Sequence, residues 1–148
     1  MDKQKMAADF LEKLQMLRKL RPQKYIDNSL HGEAFVLAYI ALNSEGVLPG
    51  DISQQMDVSS ARIAKALNGL ENKGYITRQI NTQDRRQIVV KATQTGKELA
   101  EEHRKAVLEE VVKLFDLLGD HDANEYIRIT GKLVALAKDY KWNCEKSQ

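Results

Sequence analysis

Apolar residues recur along the first segment at Met6, Ala7, Phe10, Leu11, Leu14, Leu17 and Leu20. That i, i+3, i+4, i+7 spacing predicts an amphipathic helix ending near Pro22, one face of which needs a partner surface. "HGEAFVLAYIALNS", His31 to Ser44, is apolar on almost every side and predicts a buried central helix closed by Gly46 and Pro49. A short helix "PGDISQQM" follows, with Pro49 near its start and Ile52 and Met56 facing inward, and then the link "DVS". The next stretch, "SARIAKALNGLENKGY", has Ser59 or Ser60 to cap it, Ile63, Ala66, Leu67 and Leu70 as an inner stripe, Lys73 in its last turn and Gly74 to stop it. Two helices joined by a tight turn result. "YITRQI" and "QIVVKAT" alternate outward and inward residues around the polar turn, so they predict a hairpin. The helical period returns from Thr93, the expected cap, to Leu118, and again from Asn124 to Trp142.

The order is helix, helix, helix, turn, helix, hairpin, helix, helix. The outer helices carry more apolar surface than one small central module can cover, and the economical solution is that they pack with those of a second copy. We therefore expect a mainly α chain with a small β-hairpin, organised as a single domain over 1–148. Residues 1–30 and 97–148 are the expected dimerisation helices, and 31–96 the central lobe. The length of 148 residues, with 43% hydrophobic and 30% charged, suits a globular protein with an adequate core. No apolar run approaches the roughly 20 residues of a membrane span, and the N-terminal stretch lacks a secretory apolar region, so a cytoplasmic protein with no membrane partner is expected. The one cysteine, Cys144, in the polar tail "NCEKSQ", fits a reducing compartment and is read as an exposed thiol.

Charge changes the picture. The formal net charge is only +2, yet Val58 to Lys91 holds seven bases against two acids, a local +5. Such a concentration is the footprint of a polyanion partner. The helix-turn-helix fits the DNA major groove, and its second helix points Ser59, Ser60, Ala61, Arg62, Ala64 and Lys65 outward in its N-terminal part. Arg62 can bind both acceptors of a guanine, and Ala61 or Ala64 can lie against a thymine methyl. The serine hydroxyls and the helix N-terminus suit phosphates. In this reading the hairpin is a wing: it carries Arg78, and its tip offers Arg85 and Arg86 to the minor groove or backbone, with Asp84 orienting a guanidinium.

From "ISQQMDVSSARIAKALNGLENKGYITRQ" through "DRRQIVVKATQTGKEL", and across nearly the whole chain, the sequence resembles the MarR family of bacterial transcriptional regulators. Asp84 and Arg86 match the family's Asp-x-Arg wing pattern. Thr93 and Gly96 match its Leu-Thr-x-x-Gly pattern, with Ala92 at the leucine position. Ala61 and Ala64 stand where polar residues are common in the family, and Gly69 where a longer one is, so sparse base readout is expected. The resemblance implies a winged helix-turn-helix core flanked by N- and C-terminal dimerisation helices, and a homodimer that binds a double-stranded DNA operator of pseudo-palindromic sequence. It also implies repression, and release by a small aromatic effector in a crevice lined by the first, second and fifth helices, with Tyr25, Phe35 and Tyr39 as contributors.

Other classes have less behind them. His31, Glu33, Glu102, His103 and His121 are metal-ligand types, as a zinc-responsive regulator would need, but no close His-x-x-His or Cys-x-x-Cys pair occurs, so neither metal nor cofactor is expected. No Gly-rich phosphate loop, no Gly-x-Ser-x-Gly and no nucleophile-base arrangement points to an enzyme, and the adjacent pairs Glu101–Glu102 and Glu109–Glu110 point to different helix faces. The alternative is a winged lobe that binds a protein partner and not DNA.

Overall fold

Several helix ends here fall where a side chain or a left-handed residue satisfies the loose backbone groups. The computed structural model describes residues 2–20, Lys24, Ile26 and 32–139. Among these the order is α1 (Lys3–Leu17), α2 (Gly32–Ala41), α3 (Pro49–Met56), α4 (Ser60–Asn72), β1 (Ile76–Ile80), β2 (Ile88–Ala92), α5 (Gln94–Leu118) and α6 (Asp120–Asp139). The chain is mostly helical with a two-stranded antiparallel hairpin, as the periodicity predicts. It divides into two compact units, Met1–Glu110 and Val111–Gln148.

The first unit has one apolar core. Val36, Leu37 and Ile40 of α2 meet Ile52 of α3, Ile63, Leu67 and Leu70 of α4, Ile76 of β1, Val90 of β2 and Val47 of the intervening loop. Burying each such side chain contributes about 1.5–3 kcal/mol, so the central elements cohere without help from α1. Val47 also exchanges two backbone hydrogen bonds with Val90, of 2.9 and 2.8 Å, which ties the loop after α2 to the hairpin. Asp2 caps α1 by accepting from the Gln4 and Lys5 amides at 3.0 and 3.2 Å, yet no residue of α1 is buried.

In the second unit α6 starts at Asp120, four residues before the expected Asn124. Gly119, at φ +79°, ends α5, and its carbonyl accepts the Ala123 amide at 3.0 Å. Asp120 and Asp122 place negative charge at the N-terminus, where the helix dipole favours it. Those two acids were the missed start signal. The hairpin also departs from the expected alternation: in β1 only Ile76 is buried. The residues that follow it, Thr77 to Ile80, are all exposed.

Candidate nucleic-acid interface

The turn between α3 and α4 is built by Asp57, which adopts φ +53°, a left-handed conformation rare for a non-glycine residue. Its amide bonds back to Ser53 and Gln54 carbonyls, and the Ser53 hydroxyl donates to the Val58 carbonyl at 2.6 Å. The chain thus reverses into α4 within three residues. Ser59 is the cap: its hydroxyl oxygen accepts the Arg62 amide at 3.3 Å. Ile63, Leu67 and Leu70 lock the inner face, which leaves Ser59, Ser60, Ala61, Arg62, Ala64 and Lys65 exposed. All six predicted recognition positions therefore share the solvent face of the helix.

The tip of the hairpin is ordered by its own polar groups. Asn81 accepts the Gln83 amide through its side chain at 3.0 Å and donates its amide to the Gln87 carbonyl at 2.9 Å. Asp84 Oδ1 accepts from the Arg86 amide at 3.1 Å and from Arg86 Nε at 3.2 Å. The Arg86 side chain is nonetheless 91% exposed, so its guanidinium is aimed without being covered. Arg85 is exposed and makes no hydrogen bond or ion pair with any described residue.

Arg78 has a different placement. Its Nη2 donates to Asn68 Oδ1 at 2.7 Å, and its Nε lies 3.3 Å from Glu71 Oε2. The guanidinium is held against α4 and joins the hairpin to that helix. Asn68 and Glu71 were not among the expected site residues, because a contact between helix and hairpin leaves no local spacing to read.

Two glycines set how closely other elements approach. Thr93 receives the Gly96 amide at 3.1 Å, donates its hydroxyl to the Gly74 carbonyl at 2.7 Å, and bonds the Tyr75 carbonyl through its amide at 3.0 Å. One threonine thus caps α5 and clamps the end of α4. A Cβ at Gly96 would overlap the Tyr75 carbonyl oxygen, which explains the glycine of the Thr-x-x-Gly pattern. On α4, a Cβ at Gly69 would meet the Glu33 carboxylate of α2. Glu33 Oε2 accepts from Lys73 Nζ at 2.8 Å, and this hydrogen bond, reinforced by the carboxylate charge, raises the lysine above its ordinary pKa. Gly69 is the notch through which α2 reaches Lys73.

These pairs redistribute the local charge. Lys73, Arg78 and Arg86 are matched by Glu33, Glu71 and Asp84, whereas Arg62, Lys65 and Arg85 are exposed and have no ion pair with a described residue. These exposed, unmatched cations sit on the N-terminal half of α4 and on the hairpin tip, while Lys91, also without an ion pair to a described residue, is half-buried on β2.

A cavity of about 760 Å³ lies between α2 and α5. Ala34, Ala38, Ala41 and Leu42 form one wall; Lys97, Ala100, Glu101, His103, Arg104, Ala106, Val107 and Leu108 form the other. Its lining includes neither Phe35 nor Tyr39 and no residue of α1; Tyr39 packs against the core, about a quarter turn round the helix from Ala38. Tyr25, His31 and Cys144 lie outside the described residues. Among the described residues no group of three or more His, Cys, Asp or Glu is placed to hold a metal ion.

Residues 33–112, more than half of the chain, match the model of a family described as winged helix DNA-binding domain. The HTH-type transcriptional repressor YetL of Bacillus subtilis (strain 168) is 24% identical over 85 residues, 57% of this chain and 51% of YetL, so the chain spans about half the length of that relative. Among solved structures, Streptococcus pneumoniae FabT in complex with DNA has a TM-score of 0.64 at 23% identity, over 93% of this chain and 95% of FabT. MarR has a TM-score of 0.63 at 20% identity over 72% of each chain.

Proposed function

The chain belongs to the winged helix DNA-binding domain family, and from that premise we propose that it is a repressor that binds a pseudo-palindromic operator as a homodimer. Its family and its MarR-like fold are those of transcriptional regulators, not of enzymes. The observation that carries the reading is the coincidence of exposed, unmatched cations with the two elements that this fold presents to a duplex. Arg62 and Lys65 stand on the outer face of α4, and Arg85 with the oriented Arg86 on the hairpin tip. In the proposed complex Arg62 reads a guanine edge, and Ala61 and Ala64 contact thymine methyls. Ser59 and Ser60 meet phosphate at the helix N-terminus, and Arg85 and Arg86 enter the minor groove or clamp the backbone. Arg78 acts at one remove, by holding the wing to α4.

Repression is supported by the likeness to the repressor YetL, and a DNA partner by the FabT complex. The homodimer is supported by the apolar faces left open on α1 and α6, in line with dimerisation helices over 1–30 and 97–148 around the 31–96 lobe. Release by a small effector is supported by the cavity between α2 and α5, which has the size and apolar character of a ligand site. Its α2 wall begins at Ala34, next to the Glu33 that reaches α4. Among the described residues no helix is long and apolar enough to cross a membrane, and we place the protein in the cytoplasm with its DNA.

The test is a salt series on mixed-sequence duplex followed by in vitro selection of the bound sequence. Counterion release makes phosphate binding weaken steeply with salt, and selection should return two inverted half-sites. Absence of duplex binding at low salt would reject the reading in favour of a protein partner.

A further inference from the structure

The pleat of the hairpin puts Ile76, Arg78 and Ile80 on one face, opposite Ala92, Val90 and Ile88 of the neighbouring strand. Two rungs of that face are accounted for. Ile76 and Val90 are in the core, and Arg78 reaches Asn68 and Glu71 of α4. The third rung is Ile80 opposite Ile88, 66% and 49% exposed, the last pair before the turn that carries Arg85 and Arg86. Packing across the two strands contributes no more than about 1 kcal/mol to the hairpin, and the outer surface of the pair stays apolar and open, an aggregation hazard on a small two-stranded sheet.

We propose that the Ile80–Ile88 pair is an apolar contact for the deoxyribose edges of duplex DNA. This rests on the regulator reading and adds a non-ionic element to its interface. The occupant must carry anionic groups next to apolar edges, because the patch adjoins exposed Arg85 and the solvent-facing guanidinium of Arg86. A second copy of the hairpin would bring these like charges together, whereas a duplex offers phosphates and sugar C–H edges side by side. A duplex that takes α4 in its major groove and the tip in its minor groove passes its backbone along the hairpin face that looks toward α4. That is the face of Arg78, Ile80 and Ile88. Isoleucine is among the apolar side chains that minor-groove proteins place against the DNA, there as wedges between base steps.

The experiment is a salt series on mixed-sequence duplex with the full chain and with Ile80→Thr/Ile88→Thr, which keeps the β-branch and removes apolar area. The double variant should bind roughly tenfold more weakly, as loss of partial burial of an isoleucine implies. Its salt slope should be unchanged, since no phosphate contact is lost; Arg85→Ala/Arg86→Ala should instead lower the slope by about one per arginine. Ile80→Val/Ile88→Val should keep most of the affinity, and unchanged backbone amide NMR shifts from Asn81 to Gln87 in all Ile variants establish an intact hairpin. Wild-type affinity and slope in Ile80→Thr/Ile88→Thr would overturn the proposal. So would a slope that falls with the affinity, which assigns the pair to orienting the arginines, or a smaller species in sedimentation, which assigns it to contact between copies. If the unaltered chain binds no duplex at low salt, the regulator reading fails first and this contact with it.

Discussion

Between α2 and β2, ten apolar side chains drawn from five elements and a loop are buried in one core, whereas α1 buries none and Ala123 is the one buried hydrophobic of α6 among the described residues. The contrast is not one of composition. Phe10, Leu11, Leu133 and Leu136 recur at helical spacing as regularly as Ile63, Leu67 and Leu70, and they are between 54% and 62% exposed. A regular apolar stripe predicts that a face will be covered, without saying by what. The middle is finished within one chain; among the described residues the ends keep their apolar faces open.

The largest effect should come from removing an end. A chain cut before Asp120 should keep its melting transition, because the core lies between Val36 and Val90. Its affinity for a selected palindromic duplex should fall on the order of 100-fold or more, the loss expected when two linked half-site contacts become one. A truncated chain with full affinity would remove the reason for the open faces. Next in size is Gly96→Ala, which drives a methyl into the Tyr75 carbonyl and should destabilise by about 1–3 kcal/mol in denaturant unfolding. A neutral result there would mean that the Thr93 clamp is looser than its hydrogen bonds imply.

Substitutions on the exposed face of the middle should spare the fold and alter the ligand. Arg62→Ala should cost roughly 1–3 kcal/mol on the selected sequence and flatten discrimination at one position per half-site, read by competition with single-base variants. Asp84→Ala cancels a repulsion of phosphate and loosens Arg86 together, so non-specific affinity should hold or rise while specific affinity falls. Equal loss on both kinds of duplex would show that Asp84 only keeps the tip folded. The smallest effect belongs to Gly69→Ala. The Glu33 carboxylate can swing aside and α4 gains a better helix former, so stability should rise by no more than about 1 kcal/mol. A loss of that size would identify the Glu33–Lys73 pair as an anchor of α4.

Local signals explain what was legible in the sequence. Ser59 and Thr93 cap where a short hydroxyl precedes a periodic run, Gly74 turns left-handed where a stripe stops, and Ile63, Leu67 and Leu70 point inward at their spacing. The partners of Arg78 and Lys73 were not legible. Glu33 lies 40 residues from Lys73, and only the packing of α2 on α4 joins them. Which residues of α2 line the cavity was not legible for a related reason: the helix is apolar all round, so nothing in its pattern separates Ala34, Ala38 and Ala41 from Phe35 and Tyr39. The hairpin misled differently, since alternation in β1 promises an inner layer that stops after Ile76.

Sedimentation equilibrium of the intact chain, alone at micromolar concentration and then with one equivalent of the selected duplex, tests most directly whether the ends exist for a second copy. Expected are a dimer in both samples, two chains per duplex, and dissociation to monomer when Leu133→Glu and Leu136→Glu place charges on the open face of α6. A chain that is monomeric alone and binds the duplex one to one with full affinity would contradict this dimer.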